Sequence, residues 1–263
     1  MGNIFCEIVF LFFLIPIAVK GCVAAIRDSL FGAFLIGAHF FYFKEEKKMK
    51  RTMKKILAIS LAAVMIVSLA SCGLLGLGKT QQVAVAKTSY ERITALYETC
   101  EALSDIIYEA WSFAIYDAYS YNNAKACAEA ISKKIGADYD IFVKNLNAEI
   151  EYLGKKVSAS TQLEMMKDFN HMLSIVICVI DEYGFYANGD ALLELIAKDI
   201  RKLNDKYEEV TGYSDLKKYY VAVEEYYNFV KSPSGSLLTY EGTVSGFETE
   251  AKNYQKNLKT LFI

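Results

Sequence analysis

The residues of this chain that could do chemistry are few and far apart. His171 is one of two histidines, and its imidazole could act as a general base. No nucleophile accompanies it in a recognisable motif, because the chain has neither a Gly-x-Ser-x-Gly sequence nor a phosphate-binding glycine loop. We therefore expect no catalytic residue and no cofactor, and we keep an enzyme with an unrecognised site around His171 as an alternative.

The cysteines of the C-terminal part do not have the spacing of a metal site. Zinc sites use closely spaced pairs of Cys or His ligands, and Cys100, Cys127 and Cys178 form no such pair. Each falls on the apolar face of a predicted helix, where cysteine packs as a small hydrophobic residue. We expect buried thiols and no metal ligand, with a disulfide as the alternative outside the cytoplasm.

Aromatic residues are the unusual feature of the composition, with 19 tyrosines and 16 phenylalanines. One cluster is the segment IIYEAWSFAIYDAYSY, which contains Trp111, Tyr116, Tyr119 and Tyr121. These four side chains could contact a sugar or a peptide, because aromatic rings offer a large rigid surface with a polar tip. The helical spacing favours a second interpretation, in which such rings pack inside a bundle and their hydroxyls reach water.

Residues 49–72 have the three zones of a secretory signal. Lys50, Arg51, Lys54 and Lys55 form a positive start, the apolar segment 56–70 follows, and the small residues Ala70 and Ser71 precede a cysteine. The apolar segment is shorter than the roughly 20 residues of a spanning helix. Its end, Leu69-Ala70-Ser71-Cys72, resembles the lipobox of bacterial lipoproteins: leucine, two small residues and cysteine. An ordinary membrane helix with an incidental cysteine is the alternative.

The resemblance implies cleavage between Ser71 and Cys72 and attachment of a diacylglycerol to the Cys72 sulfur. Several acyl chains hold a protein stably on a bilayer, since each buried methylene contributes about 0.8 kcal/mol. The implied partner is membrane lipid through acylated Cys72, outside the cytoplasm. Residues 72–80, rich in glycine and leucine, would be a short tether.

Residues 1–48 are unexpected in front of a signal peptide. Their two apolar runs are short and contain Glu7, Pro16 and His39. The string KEEKKM before residue 50 is compatible with a purine-rich ribosome-binding site, so we favour Met49 as the true start, with Met53 second. The alternative is an integral membrane protein that uses residues 1–71 as membrane segments.

Residues 81–263 show a helical period nearly throughout. The spacing predicts a long helix whose apolar stripe runs from Ile93 to Ala114, and further helices that end at Gly136 and Gly154. Another helix is predicted to open at a Thr161–Glu164 capping box and to continue to about Tyr183. Three more are predicted after a turn at 184–190, where Asp190 is the expected N-cap, after Gly212, and from a Ser245–Glu248 capping box.

These features predict an all-α domain of about six to seven helices, arranged as an antiparallel up-and-down bundle or as stacked helical hairpins. The chain has a formal charge of −2, and the part after Cys72 is more acidic than that. It lacks a basic stripe, so we expect no nucleic-acid partner. The sequence favours a lipid-anchored extracytoplasmic lipoprotein with a binding or structural helical domain, whose partner would be an envelope protein or a glycan.

Overall fold

The computed structural model describes residues 79–206 and 211–262. The extension 1–48, the signal segment 49–71, Cys72 and most of the tether lie outside these residues. The described residues form eight α-helices and no strand. The helices are α1 (Lys79–Ser112), α2 (Ala124–Ile135), α3 (Tyr139–Tyr152), α4 (Ala159–Lys167), α5 (Phe169–Glu182), α6 (Phe185–Lys206), α7 (Tyr213–Lys231) and α8 (Leu237–Phe262). The predicted all-α helical bundle is confirmed.

Helices α1, α6, α7 and α8 pack together as a four-helix bundle. Tyr90 of α1 lies against Tyr219, and Ser104, four turns later, lies against Tyr226, so α1 and α7 run in the same direction. Helix α8 runs the opposite way along both, because its start packs beside the end of α7 and its end returns to the start of α1. Helix α6 also runs opposite to α7.

Helices α2 to α5 are inserted in the chain between the first and second helices of this bundle. They pack on one another and on α1, and α5 also contacts α6. Helices α3 and α5 are antiparallel, since Lys144 pairs with Glu182 near one end and Glu149 pairs with His171 near the other. Helices α1, α6, α7 and α8 therefore alternate in direction along the chain, and α2 to α5 interrupt this order after α1.

Local capping explains where several predicted helices begin and end. The Asn123 side chain accepts a hydrogen bond from the Ala126 amide at the start of α2, and Asp138 accepts one from the Asp140 amide at the start of α3. Gly136 and Gly154 adopt positive φ angles of 78° and 68° at the ends of these helices. The helix ends predicted at Gly136 and Gly154 are confirmed.

Three predicted boundaries are wrong. The helix predicted from Thr161 to about Tyr183 is divided at Asp168, whose carboxylate caps α5, and its first part already begins after Ser158. The expected turn at 184–190 is helical from Phe185 onwards, so Asp190 caps nothing. The Ser245–Glu248 pattern lies inside α8, which starts eight residues earlier at Leu237. Each pattern is also compatible with a helix interior, and tertiary packing decides between the two.

Candidate functional site

The end of α1 carries the most exposed aromatic residues of the tyrosine-rich cluster. After Ser112 the chain continues as a π-helical turn, Phe113–Asp117, and a 3₁₀ turn, Ala118–Ser120. Ala114 and Ala118 face the core, whereas Tyr116 and Tyr119 are 69% and 67% exposed. Single π turns are frequent at functional sites, because they redirect the side chains that follow.

Lys134 of α2 holds this turn in place. Its ammonium group lies 2.8 Å from an Asp117 carboxylate oxygen and 3.2 Å from one of Glu109, and it also lies over the Phe113 ring. The hydrogen bond to Asp117 raises the pKa of Lys134, so the ion pair persists over the whole neutral range. The π turn is thereby tied to the end of α2.

Tyr119 lies beside the end of α4. Its hydroxyl donates a hydrogen bond of 3.4 Å to the Lys167 carbonyl, and the Lys167 ammonium lies 5.7 Å from the centre of its ring. Tyr121 is partly buried and packs against Phe113. Among the expected ligand-contact residues, therefore, Tyr116 and Tyr119 present rings to solvent and Tyr121 does so in part.

Trp111 is 1% exposed and belongs to the core, so its indole cannot contact a ligand at the surface. It lies between Tyr240 and Phe169, and the Phe169 ring, which is 39% exposed, stacks over it at 6.1 Å between ring centres. The sequence placed Trp111 with the exposed tyrosines because it shares their segment. Trp111, Ala114 and Ala118 all face the core, so Trp111 lies on the opposite side of this segment from the exposed tyrosines.

An open groove lies next to this segment, where α2, α3 and α4 begin. It starts at Asn122, directly after Tyr121, and has a volume of about 470 Å³. Polar side chains from all three helix starts surround a floor of small and aliphatic residues. The sequence could not indicate this groove, because the three capping sequences that bring the helix starts together are far apart along the chain.

His171 lies outside this groove, in the first turn of α5. Its Nδ1 atom is 3.3 Å from a Glu149 carboxylate oxygen, and both side chains are partly buried between α3 and α5. Cys178 on the same helix has an exposed thiol, and its partial burial, followed by the charge of Glu149, raises the pKa of that thiol. A catalytic cysteine requires the opposite shift, so this group has little nucleophilic thiolate at neutral pH.

The three cysteines of the described residues are free thiols. Cys100 and Cys127 are buried, as predicted from their helical faces, and burial raises the pKa of Cys127 to about 11. Cys178 is exposed, so the prediction of a buried thiol is wrong at that position. It lies on the exposed side of α5, and the nearly continuous apolar sequence of this helix does not separate buried from exposed positions.

Three tyrosines of α7 are fully buried core residues. Tyr219, Tyr226 and Tyr227 are fully buried. Their hydroxyls do not reach water as predicted: Tyr226 pairs with the Ser104 hydroxyl at 2.7 Å, and Tyr227 donates to the Tyr186 carbonyl at 2.7 Å. Burial raises the pKa of each of these tyrosines well above 10. They stabilise the bundle and offer no ligand surface.

Comparison with known proteins adds no relative to this description. No family model, no curated protein and no solved structure matches the chain. Within residues 79–206 and 211–262, no helix has an apolar stretch long enough to cross a bilayer. In the same part of the chain, no three His, Cys, Asp or Glu side chains come together as a set of metal ligands. The exposed pair Tyr116 and Tyr119, together with the groove that begins at Asn122, is the candidate site.

Proposed function

We propose that this chain is a bacterial lipoprotein, anchored to the outer side of the cytoplasmic membrane through acylated Cys72, and that its helical domain is a binding module. The observation that carries the proposal is the sequence Leu69-Ala70-Ser71-Cys72 after a positive start and a short apolar segment. The anchor is the function of residues 49–72, whereas binding is the function of the helical domain.

The surface around the end of α1 supports the binding part of the proposal. Tyr116 and Tyr119 present large rigid rings next to the charged group of Lys167. Asn122, the first residue that lines the groove, follows Tyr119 after three positions in the chain. The volume of the groove is within the range of small-ligand sites. An envelope protein or a glycan is the partner expected for a module held at this place.

Mass spectrometry of the protein purified from its native membranes tests the anchor. We expect an N-terminal peptide that begins at Cys72 and carries the mass of a diacylglyceryl group. An N-terminus at Met1, or an unmodified Cys72 inside a longer peptide, would overturn the proposal. The first of these results would favour the alternative of membrane segments within residues 1–71.

A pair of cysteine variants separates lipidation from other effects of losing a thiol. Cys72→Ser should abolish acylation and leave the uncleaved precursor, which is detected by its higher mass. Cys178→Ser is the matched control, because Cys178 is exposed and has no bonded partner. The control should be processed and anchored as the unaltered protein is. Equal processing of both variants would contradict a role for Cys72.

A further inference from the structure

The groove where α2, α3 and α4 begin has an apolar floor. Val143, Ala159 and Leu163 supply the apolar surface that a ligand can reach, and Ala124, Ala128 and Leu146 beneath them are almost completely buried. The groove is open to solvent on one side. A floor of this kind can cover the flat apolar face of a small ring without enclosing a bulky side chain.

The rim of the groove is polar and carries no carboxylate among the residues that line it. It consists of the side chains of Asn122, Asn123, Lys125, Tyr139, Ser160 and Gln162. The absence of acidic groups at the rim is notable in an acidic domain. Amides and hydroxyls both donate and accept hydrogen bonds, so the rim is suited to a ligand that does the same.

Two of these rim groups remain available for a ligand. Within the described residues, neither the Asn122 amide nor the Tyr139 hydroxyl hydrogen-bonds to another protein group. Asn122 is exposed and Tyr139 is partly buried, with its ring packed against the core. Gln162 is fixed by a hydrogen bond of 2.7 Å to Asn147, so its position is set before a ligand arrives.

We propose that this groove binds a neutral saccharide segment. A sugar ring has an apolar face of C–H groups, which fits the aliphatic side chains of Val143 and Leu163 and the Tyr139 ring, and it carries hydroxyls that both donate and accept. The volume of about 470 Å³ is within the range of small-ligand sites. A peptide anchor would instead require a deep apolar pocket for a large side chain. The inference rests on the proposed extracytoplasmic location, where envelope glycans are the available saccharides.

Isothermal titration calorimetry on the full chain in detergent tests this inference with two probes. They are the tetramer of N-acetylglucosamine, whose acetamido groups match the amides of the rim, and maltotetraose, which has hydroxyls alone. We expect saturable binding of the N-acetylglucosamine tetramer, and weaker binding of maltotetraose. If neither probe binds at millimolar concentration, the inference is overturned, whereas the result on Cys72 is unaffected.

Three variants locate the binding. Ser160→Trp should reduce the affinity at least tenfold, because an indole at this exposed rim position fills the groove. Asn122→Ala should reduce the affinity about threefold to tenfold by removing one amide partner. Tyr116→Ala tests the exposed tyrosines as the rival binding place, because Tyr116 is exposed and outside the groove. The thermal unfolding midpoint of each variant, measured by circular dichroism, should stay close to that of the unaltered protein.

The pattern of losses decides between two places on the surface. Loss of binding in Ser160→Trp and Asn122→Ala, with Tyr116→Ala unaffected, supports the groove. Loss in Tyr116→Ala with both groove variants unaffected would overturn the inference and assign binding to the exposed tyrosines. Binding that none of the three substitutions changes would also overturn it. In both contrary cases the domain would remain a binding module, so the inference and the proposed function fail separately.

Discussion

Substitution of Gly189 by alanine tests the packing of the bundle core. Gly189 lies in the interior of α6, at an ordinary helical φ, and a methyl group there would come within 2.5–2.6 Å of the Tyr227 hydroxyl oxygen and Cζ atom. Tyr227 cannot move away freely, because it is fully buried and its hydroxyl is bonded to the Tyr186 carbonyl and to Asp190. The close approach of two helices therefore requires glycine at this position.

The magnitude follows from two opposing effects. Alanine in a helix interior is more stable than glycine by about 0.5–1 kcal/mol. Overpacking a filled core costs about 1–3 kcal/mol, and displacing the Tyr227 hydroxyl from its buried hydrogen-bond partners costs a further 1–3 kcal/mol or so. We expect Gly189→Ala to lower the free energy of unfolding by about 1–5 kcal/mol.

Gly242→Ala provides the matched control. Gly242 also lies within a helix, α8, but a methyl group there meets nothing within 4 Å. Only the propensity effect remains, so we expect an increase of about 0.5–1 kcal/mol in the free energy of unfolding. The same chemical change should therefore have opposite signs at the two positions.

Urea unfolding followed by the fluorescence of Trp111, the single tryptophan of the chain, measures both variants. Tyr227→Leu removes the ring that the new methyl group would meet. In that background Gly189→Ala should lower the free energy of unfolding much less, so that the coupling energy between the two substitutions exceeds about 1 kcal/mol. Stabilisation by Gly189→Ala in the unaltered protein, equal to that of Gly242→Ala, would refute this account of the α6–α7 contact.

Two further predictions concern charges in the core. Tyr226, Tyr227 and Tyr240 have pKa values raised by burial. These hydroxyls stay protonated in the folded chain, whereas in the unfolded chain they ionise above a pKa of about 10. The stabilisation that they contribute is therefore complete below pH 10 and falls as pH rises, by about 1.4 kcal/mol for each tyrosine at pH 11. The urea concentration at the unfolding midpoint should fall steeply between pH 10 and 11. It should fall less steeply in the Tyr240→Phe variant, which has one ionisable hydroxyl fewer. Midpoints that stay constant over this range would contradict the prediction. The second concerns the buried ion pair of Arg92 and Asp199: Arg92→Met should cost about 3–5 kcal/mol in urea unfolding, and Arg92→Met with Asp199→Leu should recover most of that loss. An equal loss in the double variant would show that the charges themselves stabilise the bundle.

The fold was predictable from the sequence where local signals and packing agree. Asn123, Gly136 and Gly154 mark helix ends by their own chemistry, so their effect needs no knowledge of neighbouring helices. The division at Asp168 was not predicted, because the apolar spacing continues across it. The long helix through Ser245 was missed because Gly242 and Gly246, which usually weaken helices, are tolerated at exposed positions.

The candidate site was predictable only in part. Tyr116 and Tyr119 were found as aromatic residues but could not be distinguished from Trp111, since a π turn changes which residues face outward. The groove depends on three helix starts that meet only in the folded chain. The ion pair of Arg92 and Asp199 joins residues 107 positions apart, and neither residue type indicates burial in the sequence.

The helical domain separates the residues that stabilise it from those that face a partner. The fully buried tyrosines contributed by α7 and α8 lie in the bundle of α1, α6, α7 and α8, where their hydroxyls are bonded to protein groups. The exposed tyrosines and the polar-rimmed groove lie at the end of α1 and on the inserted helices α2 to α4. Substitutions in the bundle core should therefore change stability at nearly constant affinity, whereas substitutions at the groove rim should change affinity at nearly constant stability. This separation is what allows the groove hypothesis to be tested without unfolding the domain that carries it.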